Sequence, residues 1–230
     1  MAHPFLFLVD FFDVNGSLYH FAHKYPHVMY TWLVMILLAG FGYLAAKKPA
    51  LIPTKGQNFF EVIIGGLEDF LVETVGEGGR WFTPLAITIF LFVFISNLIG
   101  LVPGFFPPTA TLNTTAACAL VVFFFTHYIG VKYHGVKYIK HFMGPVWWMV
   151  PLIMPIEIIG HLARVLSLSF RLFGNMMGHE LVLGILFMLA GLYFAPLPIM
   201  ALGIFVAFVQ AFVFFLLSII YFSGSLEHAH

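Results

Sequence analysis

The chain has 230 residues, 61% of them hydrophobic and 9% charged, with a mean hydropathy of +1.00. A soluble domain of this size carries about 25% charged residues, so the composition excludes a water-soluble globule and predicts an all-α polytopic membrane protein. Ten basic and ten acidic residues cancel, which excludes the basic excess of a nucleic-acid binder.

Residues 1–27 form an arm with neither a basic n-region nor an early apolar run, so no cleaved signal peptide is expected. The first span covers 28–46 and is closed by Lys47, Lys48 and Pro49. Residues 57–77 read as an interfacial helix, with Phe59, Ile63, Leu67 and Phe70 on one side and Glu61 and Glu68 away from them. No Lys, Arg, Asp or Glu occurs between Arg80 and Lys132. That stretch is too long for one crossing of a ~30 Å core. It breaks at Pro103-Gly104 and Pro107-Pro108, which predicts spans over 84–102 and 114–131. Cys118, the lone cysteine, sits inside an apolar run and has no disulfide partner.

The C-terminal third is over-long. Residues 147–194 and 197–223 predict a helical hairpin joined at Ala195-Pro196-Leu197-Pro198. Ile156 to Phe194 holds no proline and would extend ~55–60 Å as a helix. An upright crossing needs ~30 Å. The pair is therefore expected to be strongly tilted, or bent at Gly174 or Gly178. In all, about five membrane helices and one interfacial helix make a single membrane domain.

Charge sets the expected orientation. Lys47, Lys48, Lys55 and Arg80 fall in one loop, and Lys132, Lys137 and Lys140 in another on the same side. The positive-inside rule puts both in the cytoplasm. The N-terminus then lies outside and the C-terminus inside.

One polar stripe crosses this apolar background: Glu157, His161, Arg164, Arg171, Asn175 and His179. At helical pitch the six fall within roughly 80° of one another. Ionisable groups at membrane depth are costly and mark ion or proton pathways. Arg cannot carry protons, because its charge is permanent; it can repel cations and keep a nearby carboxylate ionised. Acid and imidazole on both sides of a fixed cation read as two half-paths with a gate between them. No mid-depth carboxylate of this chain faces Arg171, so its partner acid is expected on another polypeptide.

The run Ser167-Leu168-Ser169-Phe170-Arg171-Leu172-Phe173-Gly174-Asn175-Met176 resembles the signature of subunit a of the F-type ATP synthase membrane sector. Asn97-Leu98-Ile99-Gly100-Leu101-Val102-Pro103, Pro108 to Thr115, Gln210-Ala211-Phe212-Val213-Phe214 and Tyr221 extend the likeness over most of 28–226. The resemblance implies a stator subunit beside a rotating ring of c subunits, each bearing a carboxylate that Arg171 faces. Protons are its transported ion. Further implied partners are peripheral-stalk subunit b, the remainder of the synthase and the lipid bilayer, here a bacterial plasma (inner) membrane.

By the same likeness Asn175, Glu180 and Gln210 belong to an outer half-channel and Glu157 to the cytoplasmic side. Relatives carry His either at the position of His179 or at that of Gly203, so this imidazole is expected to fill the same space from the opposite helix. Thr111 stands where many relatives have Asp, and no essential proton step is assigned to that turn. Secondary path candidates are His161, Arg164, Ser167 and Tyr221.

Other classes fit less well. His20, His23 and His27, with His127, His134 and His141, have spacing that a membrane metalloenzyme would use, but the expected topology puts the clusters on opposite sides. No metal or other cofactor is expected. A secondary transporter predicts repeat symmetry and its own substrate-binding acid, and neither occurs. No Gly-x-x-x-x-Gly-Lys-Ser/Thr loop occurs, so no nucleotide site and no enzyme activity of its own are expected. Na⁺ stays open as the coupling ion, although an imidazole in the path favours H⁺.

Overall fold

The computed structural model describes residues 24–46, 55–102, 104–135, 150–190 and 196–227. Six α-helices appear in it: α1 (Pro26–Ala46), α2 (Lys55–Val75), α3 (Thr83–Ile99), α4 (Leu112–His134), α5 (Val150–Ala190) and α6 (Pro196–Glu227). No strand occurs among the described residues. Five stretches are long and apolar enough to cross a membrane: 26–43, 77–99, 112–134, 150–189 and 197–226. Where no water can bond a free backbone group, a spanning segment closes its hydrogen bonds within a helix or a barrel, and these stretches are helical.

The helix limits follow local chemistry. Pro84 sits in the first turn of α3, where its missing N–H loses nothing, and Pro196 opens α6 in the same way. Between α3 and α4 the chain turns through residues 100–111, with one short 3₁₀ turn at Pro108–Ala110. Gly135 ends α4 at φ 54°, its N–H bonded to the Val131 carbonyl at 2.8 Å. A side chain at that φ would be strained, which is why glycine stops the helix there. α5 begins before Pro155 and runs as continuous helix through Gly174 and Gly178 for 41 residues, about 60 Å at 1.5 Å per residue.

α6 is the hub. Its Phe212 and Phe215 meet Phe70 of α2 at ring-centroid distances of 5.3 and 6.4 Å. Phe222 meets Phe82 at 5.2 Å and Phe125 of α4 at 5.3 Å. Against α3, Phe90 meets Phe215 at 5.8 Å. Phe214, Phe215, Ile219 and Phe222 are fully buried in consequence. The small residues Ala207 and Ala211 on the same helix let its neighbours approach.

α2 contributes Leu67 and Leu71 to this core. Ile63, Leu67 and Phe70 of the expected stripe pack on the core, and Phe59 does not. Phe59 stands 62% exposed, beside Phe60, one turn before the first core contact of α2 at Ile63. α1 is peripheral and is anchored by Tyr30. That ring is buried among Met29, Leu33, Ile99, Phe105 and Phe106, and its hydroxyl donates to the Gly104 carbonyl at 3.3 Å.

Candidate functional site

Three contacts set the register of α5 on α6. The Arg164 guanidinium lies 5.5 Å from the centre of the Tyr221 ring. Asn175 Nδ2 donates to Gln210 Oε1 at 2.8 Å. The His179 imidazole lies against Gly203. The numbers climb on one helix as they fall on the other, so the two run antiparallel, and Arg164, Asn175 and His179 of the polar stripe meet α6.

At the His179 end the contact is close enough to dictate residue type. A Cβ on Gly203 would collide with His179 Nε2 and Leu101 Cδ2 and would stand 2.7 Å from His179 Cε1. Only glycine leaves room for the imidazole there. His179 Nε2 is buried and has no hydrogen-bond partner among the described residues. A polar atom so placed costs about 1–3 kcal/mol unless water reaches it. Glu180, partly buried, follows it and makes no ion pair among the described residues.

A second polar network lies behind Gln210, and sequence reasoning had not included it in the site. Thr109 Oγ1 donates to Asn97 Oδ1 at 2.7 Å, and Asn97 Nδ2 donates to the Ala207 carbonyl at 3.4 Å. Asn97, Thr109 and Gln210 are all buried. The available signal was an Asn inside an uncharged span, since buried amides at membrane depth are kept for a bond. Thr111 has a local role: its hydroxyl donates to the Pro108 carbonyl at 2.9 Å and lies 3.0 Å from the Thr114 hydroxyl.

Arg171 stands apart from these contacts. Leu168 and Leu172 on its helix are buried, while Ser167, Phe170 and Arg171 itself face outward. Among the described residues Arg171 has neither an ion pair nor a hydrogen bond. Asn175 is exposed at its own surface but reaches inward to Gln210. Ser167 is exposed as well, one turn before the arginine.

On the other side of Arg171 the stripe turns toward α4. His161 Nε2 lies 3.4 Å from Glu157 Oε1, one helical turn away. His161 and His127 of α4 have ring centroids 5.0 Å apart. A small pocket, with room for about one water, adjoins them, bounded by Phe123 and Thr126 of α4, His161, Arg164 and Leu168 of α5, and Tyr221 of α6. His134 Nε2 donates to the Ser225 carbonyl at 3.0 Å. Among the described residues no three His, Cys, Asp or Glu converge on one point as a metal site would require. His20, His23 and His141 lie outside those residues.

Five membrane-length helices, the longest carrying an outward arginine between two sets of polar groups, define a multi-pass membrane protein with ionisable groups along one long helix. The chain belongs to the ATP synthase A chain family, whose model matches residues 28–223. It is 69% identical over 230 residues to ATP synthase subunit a of Desulfosudis oleivorans. The identity is 59% over 240 residues with that of Syntrophobacter fumaroxidans and 57% over 230 with that of Citrifermentans bemidjiense. Each match covers 100% of both chains.

Proposed function

We propose that this chain is the stator subunit of a rotary, proton-translocating ATP synthase and that Arg171 is its gate. The observation that carries the reading is Arg171 itself: a permanent cation on an apolar, outward helix face with no acid of its own chain beside it among the described residues. Such a charge at membrane depth requires an anion, and the ring of c subunits supplies one carboxylate after another as it turns. Arg171 keeps the facing carboxylate ionised and repels a proton that would cross directly between the two paths.

His179, Glu180, Asn175 and Gln210 serve the outer path, and Glu157 the cytoplasmic one. An imidazole is a proton carrier near neutral pH, which supports H⁺ as the coupling ion. Positive loops at Lys47, Lys48, Lys55 and Arg80 and at Lys132, Lys137 and Lys140 support a cytoplasmic C-terminus in a bacterial plasma membrane. A helix of about 60 Å fits a ~30 Å core when strongly tilted, which lays α5 along the ring. ATP chemistry belongs to partner subunits, and peripheral-stalk subunit b holds this one against rotation.

The test is Arg171→Ala in the assembled complex. Proton-driven ATP synthesis and ATP-driven acidification of membrane vesicles are expected to be lost, while passive leak persists or rises. Arg171→Lys is also expected to fail in coupled synthesis, because Lys differs in shape and can lose its proton. Normal coupled synthesis in the Ala variant refutes the gate.

A further inference from the structure

His127 has no role assigned above, and His161 stands only as a secondary candidate for the path. His161 is the junction. Its side chain is only 12% exposed, whereas that of Glu157, one turn on, is 33% exposed. His161 also lines the pocket that continues past Arg164 to Leu168, one turn short of Arg171. A proton leaving the neighbourhood of Arg171 through that pocket therefore meets His161 before it meets Glu157.

Hydrogen bonding fixes the chemistry of the second ring. His127 Nδ1 lies 2.9 Å from the Phe123 carbonyl. A carbonyl only accepts, so Nδ1 carries the hydrogen and Nε2 is the nitrogen that takes up a proton. Among the described residues, the groups around the pair are Glu157 and Arg164 on α5, Phe123 and Thr126 on α4, and Tyr221 on α6. Thr126 donates to the Val122 carbonyl at 2.8 Å. Arg164 lies over Tyr221, so its charge is drawn toward α6. Glu157 is the acid paired with His161 among these groups.

The geometry assigns His127 and His161 as a two-imidazole proton relay that joins the α4–α5–α6 pocket to Glu157. The assignment rests on the proposed proton path and adds two carriers to it. A proton from the pocket joins the pair and makes one ring an imidazolium. The Glu157 carboxylate removes a proton from His161 and passes it to water. The pair is left neutral, and Glu157 is left ionised, so no charge accumulates over a cycle. His127 widens the relay, because a proton shared over two rings can be held while Glu157 empties.

The experiment uses the whole complex in membrane vesicles and measures ATP-driven acidification per assembled complex from about pH 6 to pH 8.5. His127→Gln and His161→Gln keep a polar side chain of similar reach but cannot take up a proton. Each is expected to slow acidification about tenfold or more and to alter its pH profile. The double variant is expected to be no slower than the worse single one, since the two act in one chain. Added imidazole is expected to restore much of the rate of His161→Ala, which a packing defect would not allow.

Wild-type rates and pH profile in both Gln variants overturn the relay. So does a slowed rate that keeps the wild-type pH profile and that imidazole leaves unrestored in His161→Ala, since that pattern is a structural role. Arg171→Ala, run in parallel, separates the two readings. Loss of coupling there with normal Gln variants removes the relay alone, and retained coupling there removes the gate.

Discussion

Gly203 offers the sharpest perturbation. Replacing it with Ala drives a methyl group into His179 Nε2 and Leu101 Cδ2 and to 2.7 Å from His179 Cε1. Two of these three atoms belong to one imidazole on α5, and the third is the end of a leucine in the turn after α3. Overpacking of this kind costs about 1–3 kcal/mol, and at 1.4 kcal/mol per tenfold the upper figure is roughly a hundredfold in an equilibrium. Gly203→Ala is expected to lower the thermal midpoint of the assembled membrane sector and to slow acidification. His179→Gly removes two of the three clashing atoms. The double variant His179→Gly with Gly203→Ala is therefore expected to regain stability, with a coupling of about 1 kcal/mol or more between the sites. Acidification is expected to stay low, because no imidazole remains. Gly203→His with His179→Gly returns the ring from the opposite helix and is expected to exceed His179→Gly alone in proton flux. The assays are thermal melts of the purified complex and dye-monitored acidification of vesicles. Additive stability effects of Gly203→Ala and His179→Gly refute the contact. An imidazole swap no more active than His179→Gly refutes its role in the path.

Gly100→Ala is expected to be harsher than Gly203→Ala. Its Cβ would stand 2.5 Å from Pro107 Cβ and 2.8 Å from Pro107 Cγ, and a proline ring cannot rotate away; loss of the assembled protein from membranes is the readout. Asn97→Leu leaves the buried Thr109 hydroxyl and the Ala207 carbonyl without their partner and is expected to cost about 2 kcal/mol, measured as a lower thermal midpoint. Gln210→Leu is expected to destabilise by about 1 kcal/mol, since exposed Asn175 can turn to water. Its flux loss should exceed what that stability change explains.

The spans were legible in the sequence because the bilayer simplifies the code. A charge-free run between Arg80 and Lys132, broken by prolines, has few ways to satisfy its backbone, and α3 and α4 fall on either side of that break. The candidate site was legible where ionisable groups stand on an apolar helix, as at Arg171 and Glu157. It was not legible where contacts form between helices. His127 is remote from the α5 motif in sequence and looks like an isolated interfacial residue until α4 packs beside α5 and brings it 5.0 Å from His161, ring centre to ring centre. Asn97 gave a weak signal for the same reason: its bonds run to residues 12 and 110 positions away. Helical periodicity orders residues around one axis, and it carries no information on which neighbour will cover a given face. Phe59 of α2 shows the same limitation in a milder form, since its companions Ile63, Leu67 and Phe70 meet the core and it does not.

That limitation bears on the partner surface as well. In lipid an exposed leucine is at no disadvantage, so Leu166, Phe170, Leu181 and Met188 do not reveal which side of α5 meets protein and which meets acyl chains. Hydrophobicity, the usual guide to an interface, is silent here. Charge and size remain. Arg171 would be unstable against lipid, so the face that bears it must meet an anion under the proposed function. Ser167, Gly174 and Asn175 flank it on the outward surface, and nothing lies within 4 Å of where a Cβ on Gly174 would stand. Small side chains allow a second helix backbone to come near, close enough for a carboxylate on it to reach the guanidinium. The conclusion that Arg171 opposes a moving acid thus rests on the energetic cost of the alternative, and a cysteine at Ser167 or Gly174 should crosslink to the acid-bearing helix of the c subunit. A cysteine at Leu166, on the opposite flank, is expected to react only with lipid-soluble probes. Equal crosslinking from all three positions would mean that the face is not defined by Arg171.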